Sequence, residues 1–217
     1  WARSYVGWRR MRRAEPNRAH YALAELEQLG AVSGVITQNV DGLHARAGSS
    51  SLLALHGDLS RIVCLDCGQD ESRESLDTRL DAANLGYLAR LEDEELRVNP
   101  DGDVELDDRY IRDFQMVSCL ACGSTRLKPD VVYFGESVPA ERKARKDAML
   151  AECSALLVVG SSVAVMSSYK IVLEALRAGK PVAIINGGPG RADTKATFLW
   201  RTGVGEALEL MLDAIDG

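Results

Sequence analysis

Two short stretches, Cys64-Leu-Asp-Cys67-Gly and Cys119-Leu-Ala-Cys122-Gly, constrain this chain more than any other feature. In each, a glycine lets the turn close so that two thiolates point at one ion. Two such knuckles complete a tetrahedral four-cysteine set of the kind that binds structural zinc. Residues 64 and 122 must then meet, although 51 residues separate Cys67 from Cys119. That spacing exceeds a zinc ribbon's, so the intervening chain has to loop out as an inserted module. A redox Cys-x-x-Cys would come singly, and four thiolates leave a metal no open position for catalysis. Cys153, ahead of the apolar run Ser-Ala-Leu-Leu-Val-Val-Gly, reads as a small buried hydrophobe.

The rest of the chain has the material for a core: 217 residues, 46% of them apolar. No apolar run approaches the ~20 residues needed to span a bilayer, and no signal-peptide pattern opens the chain, so a membrane partner is not expected. The net charge of −6 argues against general nucleic-acid binding. It hides an asymmetry: residues 1–18 hold six Arg against one Glu, and residues 66–113 hold sixteen acids against six Arg. The basic start is read as solvated Arg on a helix and its approach.

A helix is expected across Glu-Pro-Asn-Arg-Ala-His-Tyr-Ala-Leu-Ala-Glu-Leu-Glu-Gln-Leu-Gly, with Ala22, Leu23, Leu26 and Leu29 on one face and Gly30 as its stop. A strand should follow at about 32–37. Downstream, Ala-Leu-Leu-Val-Val-Gly-Ser-Ser, a helix over 167–178 and Lys-Pro-Val-Ala-Ile-Ile-Asn-Gly form a βαβ unit. Apolar runs without alternation imply strands buried on both faces of a parallel sheet. A last helix puts Val204, Leu208, Met211, Leu212 and Ile215 on one face. The reading is an α/β protein: a Rossmann-like parallel sheet with helices on both faces, from residues 1–63 and 128–217, carrying a four-cysteine zinc-binding module over 64–127. The module is acidic and weakly periodic, and zinc would supply much of its folding free energy.

Ligands of such sheets bind beyond the carboxyl ends of the strands. Three strand ends qualify: Thr-Gln-Asn-Val-Asp after the first strand, Gly160-Ser161-Ser162 after the second and Asn186-Gly187-Gly188 after the third. Amides and hydroxyls at Gly160–Ser162 suit a phosphate, and the glycines beside Asn186 allow close approach to a ribose. Each of these is also ordinary turn chemistry. Gln38 and the histidines His44 and His56 are not, since a plain turn needs neither residue type.

In order, Thr-Gln-Asn-Val-Asp-Gly-Leu-His, Leu-His-Gly, the two knuckles, Lys-Pro-Asp-Val-Val-Tyr-Phe-Gly-Glu, Val-Val-Gly-Ser-Ser and Ile-Asn-Gly-Gly resemble the sirtuins, NAD-dependent protein-lysine deacylases. Trp-Ala-Arg-Ser-Tyr-Val-Gly-Trp, Asn-Pro-Asp-Gly-Asp-Val and the long insert look closest to the class II branch, which includes mitochondrial sirtuin 4 and bacterial relatives. The resemblance implies NAD as cofactor beside zinc on Cys64, Cys67, Cys119 and Cys122. It places Gln38, Asn39, Val40, Asp41, Gly160, Ser161, Ser162, Asn186, Gly187, Gly188 and Val204 around the cofactor. His56 takes the role of general base, which an imidazole titrating near neutral pH suits. His44 would hold its loop by hydrogen bonds, and His20 would sit on a helix surface.

Acylated-lysine proteins are the implied substrates, with Val132, Tyr133 and Phe134 on a strand over 131–136 that pairs with the peptide. The acyl oxygen would attack the ribose carbon as nicotinamide leaves, and the acyl group would end on ADP-ribose. Protein mono-ADP-ribosyl transfer and a non-catalytic ADP-ribose-binding module are the alternatives, the latter having no use for His56. Aligned without gaps, the Tyr-x-x-Arg pair of desuccinylating sirtuins falls on Ser4 and Gly7. The family's first βα unit, with its Gly-Ala-Gly-x-Ser turn, is expected before residue 1, which makes the chain an N-terminally incomplete copy. Twenty Arg against six Lys suggest a GC-rich genome and a bacterial cytoplasm, or the mitochondrial matrix in a eukaryote.

Overall fold

The computed structural model describes residues 1–91, 96, 97, 99 and 102–216. Pro100 and Asp101 of the Asn-Pro-Asp-Gly-Asp-Val stretch lie outside the described residues. In chain order the elements run α1 (Ala2–Met11), α2 (Arg18–Gln28), β1 (Val35–Thr37), α3 (Leu43–Arg46), β2 (Leu52–Ala54), β3 (Gly57–Cys64), β4 (Asp70–Ser72) and α4 (Arg73–Ala83). They continue with α5 (Asp108–Asp113), β5 (Leu127–Val131), α6 (Ala140–Glu152), β6 (Leu156–Val159), α7 (Met166–Arg177), β7 (Val182–Ile185), β8 (Phe198–Trp200) and α8 (Val204–Asp216). Two compact units result. One is Trp1–Glu15, Asn39–Gly42 and His56–Tyr133; the other is Pro16–Gln38, Leu43–Leu55 and Phe134–Gly217. The expected insert at 64–127 lies inside the first.

The first unit is built on an antiparallel sheet ordered β4-β3-β5. Its core joins Ile62, Cys64, Leu76, Leu80, Tyr87, Leu91, Val104, Leu106, Cys119 and Leu127 to Ala2, Tyr5 and Val6 of α1. The insert is therefore better packed than its weak periodicity suggests, because α1 supplies part of the apolar face. Tyr5, Tyr87 and Phe114 form an aromatic triad with centroids 5.3 to 6.0 Å apart, worth roughly 0.5–1.5 kcal/mol per pair beyond area burial.

Charge tightens the same joint. Arg9 pairs with Asp77 at 2.9 Å and with Asp81, which also accepts the Tyr5 hydroxyl at 2.5 Å. Burial, then the bond to Asp81, pushes the Tyr5 hydroxyl up to about 12. Arg73 is fully buried: it donates to the Ser4 hydroxyl at 3.2 Å, the Ser4 carbonyl at 2.9 Å and Asp77 at 3.2 Å, near the faces of Trp1 and Trp8. Part of the basic start is thus consumed by the acidic insert instead of being solvated.

In the second unit all strand pairs are parallel, as expected: β1 with β2, and β6-β7-β8. β1 is shorter than 32–37 because the Val32 amide goes to the Leu26 carbonyl, 3.0 Å away, in the turn that ends α2 at left-handed Gly30. The expectation of strands buried on both faces holds for β7, where Val182, Ile184 and Ile185 are buried. In β1 no residue is fully buried, and in β6 only Val158 is. On α8, Leu208 and Leu212 pack against α2, whereas Ile215 is 47% exposed.

His20 does more than occupy a surface. Asn17 accepts the amides of Ala19 and His20 while its own amide donates to the His20 ring at 3.2 Å, closing a capping box at the start of α2. Glu27, near the helix's other end, accepts the amides of Ser50 and Ser51 and the Ser50 hydroxyl, and so fixes the approach to β2. Burial opposes its charge, but the Ser50 hydroxyl and these amides prevail and hold its carboxyl below the usual range.

Gly7 is the tightest point in α1. A Cβ there would lie 1.7 Å from the Gly102 carbonyl oxygen, backbone against backbone. Gly7→Ala should lower stability by about 1–3 kcal/mol or more, the cost of overpacking a rigid site. Urea unfolding monitored by tryptophan fluorescence would show an earlier midpoint, and an unchanged midpoint would mean that the 102–104 segment yields at no cost.

Candidate active site and metal centre

The two knuckles repeat one hydrogen-bond plan. Gly68 and Gly123, both at φ 74, send their amides to the carbonyls of Cys64 and Cys119 at 2.9 and 3.0 Å. The Cys64 and Cys119 amides in turn reach the carbonyls of Gln69 and Ser124. Asp66 ties the loops together, accepting from the Ser124 hydroxyl and pairing with Arg126 at 2.5 Å.

The four sulfurs lie within 4.8 Å of one another, with Cys64 to Cys122 at 3.6 Å and Cys67 to Cys119 at 3.7 Å. Sulfurs about 2.3 Å from a central zinc stand about 3.8 Å apart on a tetrahedron's edges, so the set fits that ion. The amides of Cys67 and Asp66 pull Cys64 down to about 7. At Cys122 the Ser124 amide works the same way, but the neighbouring thiols beginning with Cys67 prevail and push it up to about 12. Four thiolates this close need a cation, which zinc would supply.

β3 connects this centre to the rest of the first unit's chemistry. His56 precedes its first residue and Cys64 is its last. At ~3.3 Å per residue the eight steps between them span up to about 26 Å, so the zinc is structural with respect to His56. Around His56 the unit gathers two other expected elements. Its carbonyl accepts the Val132 amide at 2.8 Å, and three residues on, the Leu59 amide donates to Val40 at 2.9 Å. Val40, His56 and Val132 are thus tied together near one end of β3, with Asn39, Asp41 and Tyr133 beside them in the chain. The strand expected over 131–136 ends at Val131; Tyr133 follows it, with Lys128 over its ring at 4.7 Å. Phe134 belongs to the second unit and is 98% exposed.

The remaining expected cofactor residues meet in the second unit. Gln38 donates to the Ser161 hydroxyl at 3.4 Å. The Gly160 amide bonds the Ile185 carbonyl at 2.9 Å, next to Asn186, and Val204 stands 3.4 Å from where a Gly160 Cβ would be. Asn186 donates to the Gly188 carbonyl at 2.8 Å. A Cβ at Gly188 would meet nothing within 4 Å, and one at Gly187 only the Thr202 carbonyl at 3.7 Å. Bare main chain, amides and hydroxyls at adjacent strand ends fit a dinucleotide. Arg201, not among the expected residues, donates to the carbonyls of Asn186 and Gly188 and pairs with Asp193. A single arginine directly after the apolar Phe-Leu-Trp run was its only signal. His44 rests 4.7 Å from the His20 ring.

Residues 1–167 match the family model described as Sir2 family. The chain belongs to that family. It is 61% identical over 216 residues to NAD-dependent protein deacetylase 1 of Corynebacterium efficiens, covering all of this chain and 77% of the relative. It is 42% identical over 211 residues to the human mitochondrial NAD-dependent protein lipoamidase sirtuin-4, covering 97% of this chain and 66% of that protein. Among solved structures, a Sir2 with p53 peptide and NAD+ superposes with a TM-score of 0.70 at 28% identity, over 94% of this chain and 72% of the other. The α/β fold with parallel strands is the family's, and this chain gathers Cys64, Cys67, Cys119 and Cys122 into one possible zinc site.

Zinc removal gives a direct check. The purified protein should carry one zinc per chain by elemental analysis. Cys64→Ser or prolonged chelation should lower the melting temperature, because a lost ligand removes folding free energy. Protein free of zinc without exposure to chelator would refute the assignment.

Proposed function

We propose that the protein is an NAD-dependent protein-lysine deacylase that moves the acyl group of an acyl-lysine to ADP-ribose and releases nicotinamide. The reading rests on family membership and on one structural observation: the hydrogen bond from the Val132 amide to the His56 carbonyl, which sets the expected substrate segment beside the expected base. NAD, when bound, supplies a ribose carbon whose bond to nicotinamide breaks and hydroxyls that receive the acyl group. His56 is half-buried on a strand end, able to take a proton on its ring from such a hydroxyl and to return it to solvent. Asn39 and Asp41 of the first unit offer amide and carboxylate groups for ribose hydroxyls, fixing orientation before reaction. With the Val132 amide held by His56, Tyr133 continues the chain past the end of β5, where an acyl-lysine peptide would lie. Acylated proteins are the proposed partners, and among the described residues no helix is long and apolar enough to cross a membrane.

The test is to incubate the full gene product with NAD and acyl-lysine peptides and identify products by mass. His56→Ala should cut acyl transfer by about 10²–10⁴-fold, the usual worth of a general base, with NAD binding retained. Equal turnover by both would reverse the assignment, and ADP-ribosylated peptide as the main product would favour the transferase alternative.

Acyl preference follows from α1. Ser4 and Gly7 stand where desuccinylating relatives would place their Tyr and Arg, and neither position can host a cationic clamp. Ser4 is held by Arg73, and Gly7 lies against the Gly102 carbonyl. Arg73 itself is committed to Asp77 and Ser4. An unpaired carboxylate taken out of water costs several kcal/mol, so acetyl and longer neutral acyl groups should be removed faster than succinyl or malonyl. Faster desuccinylation than deacetylation would show that another cation serves.

A further inference from the structure

The segment after β7, Asn186 to Lys195, carries three expected cofactor residues on a glycine-rich backbone that would be loose if left alone. Arg201 closes it from one side by bonding the Asn186 and Gly188 carbonyls and Asp193, whose Oδ2 also accepts the Gly190 amide at 2.7 Å. Arg191 fastens it from the other. Its backbone amide donates to the Ser162 carbonyl at 2.8 Å, its Nη1 donates to the Ala164 carbonyl at 3.1 Å, and its guanidinium lies 4.3 Å over the Tyr169 ring.

The residue between those two carbonyls is Val163, which is buried and holds φ 44. It is the only non-glycine residue with positive φ among the described residues. A β-branched side chain in the left-handed region is a true outlier, and such strain persists only where the surroundings over-determine it. Here the surroundings are the Ser161 hydroxyl, which accepts the Val163 amide at 3.1 Å, and the two bonds from Arg191. The Gly160–Ser162 turn ends at this strained residue, and Gln38 reaches the same Ser161 hydroxyl.

We propose that Arg191 is a positioning residue for NAD: by bracketing Val163 it locks the loop after β6 to the loop after β7, so that Gly160–Ser162 and Asn186–Gly188 present one preformed surface to the dinucleotide. The inference rests on the deacylase reading of this site. Its role is geometric, so a cation alone does not replace it. A guanidinium stacks flat on Tyr169 while donating sideways, whereas an ammonium is a compact point charge.

The test compares wild type, Arg191→Ala and Arg191→Lys in the full gene product. Three readouts are needed: NAD affinity by calorimetry, amide exchange over residues 160–164, and steady-state KM and kcat. Arg191→Ala should weaken NAD binding and raise its KM by about tenfold or more, with kcat and peptide KM within twofold, and should speed exchange over 160–164. Arg191→Lys should behave like Arg191→Ala, with a melting temperature close to wild type. Wild type that binds NAD beside an Arg191→Ala protein within twofold of it would overturn this inference alone. Full rescue by Arg191→Lys would overturn positioning in favour of simple charge attraction. Wild type that binds no NAD would take down the deacylase reading together with it.

Discussion

The pairing of β1 with β2 fixes the strand ends from which Gln38 and Leu55 depart in the second unit. Only three residue pairs are involved, Val35 with Leu52, Ile36 with Leu53 and Thr37 with Ala54, and the Leu55 amide extends the ladder to the Thr37 carbonyl. Because the strands are parallel and in this register, Gln38 and Leu55 leave the second unit from neighbouring strand ends. A slip by one residue would reverse the faces of every side chain on the moved strand. Glu27 guards against this by fixing Ser50 and Ser51 just ahead of β2, and the Ser51 carbonyl takes the Val35 amide at 2.8 Å. A helix carboxylate thereby helps to set the register of the two parallel strands.

In the first unit the corresponding constraint is the joint between α1 and α4. A fully buried guanidinium is unfavourable unless paired and hydrogen-bonded. Arg73 meets that condition through Asp77 and both oxygens of Ser4, although burial still draws its pKa down. Apolar burial alone would let α1 slide along the insert; the Arg73, Ser4 and Asp77 set permits one position. That position presses Gly7 onto Gly102 and leaves no room for a side chain.

Motif chemistry was legible where it is local. The knuckles, the Gly30 stop, α7 and β7 could be read from residue type and spacing because each depends on its own few residues. What escaped reading depends on partners distant in sequence. Val132 and Tyr133 look like strand residues, yet β5 ends at Val131, where its pairing with Gly57 ends. The insert looked weakly periodic because Ala2, Tyr5 and Val6, more than 50 residues away, complete its core. His20 reads as a plain surface residue in the sequence, because an Asn-x-x-His capping box is rarer than the Ser or Thr forms with Glu. Ile215 fitted the helical face by period, but α8 outruns the surface of α2 available to cover its last turn.

These features assign different tasks to metal and core. Ile62, Leu76 and Leu80 are fully buried, so the insert does not depend on zinc for a hydrophobic centre. Cys67 and Cys122, in contrast, are exposed, and their turns have little apolar surface to pin them. A four-cysteine ion is suited to that gap, because it fixes four chain positions through short directional bonds and needs no buried area. The core then holds α1 and α4, while the metal holds the far ends of β3 and β5 together where Cys64 pairs with Leu127. β3 is continuous from there to Gly57, so closing the sheet at the cysteine end also limits how far β5 can shift at the end where the Val132 amide meets His56.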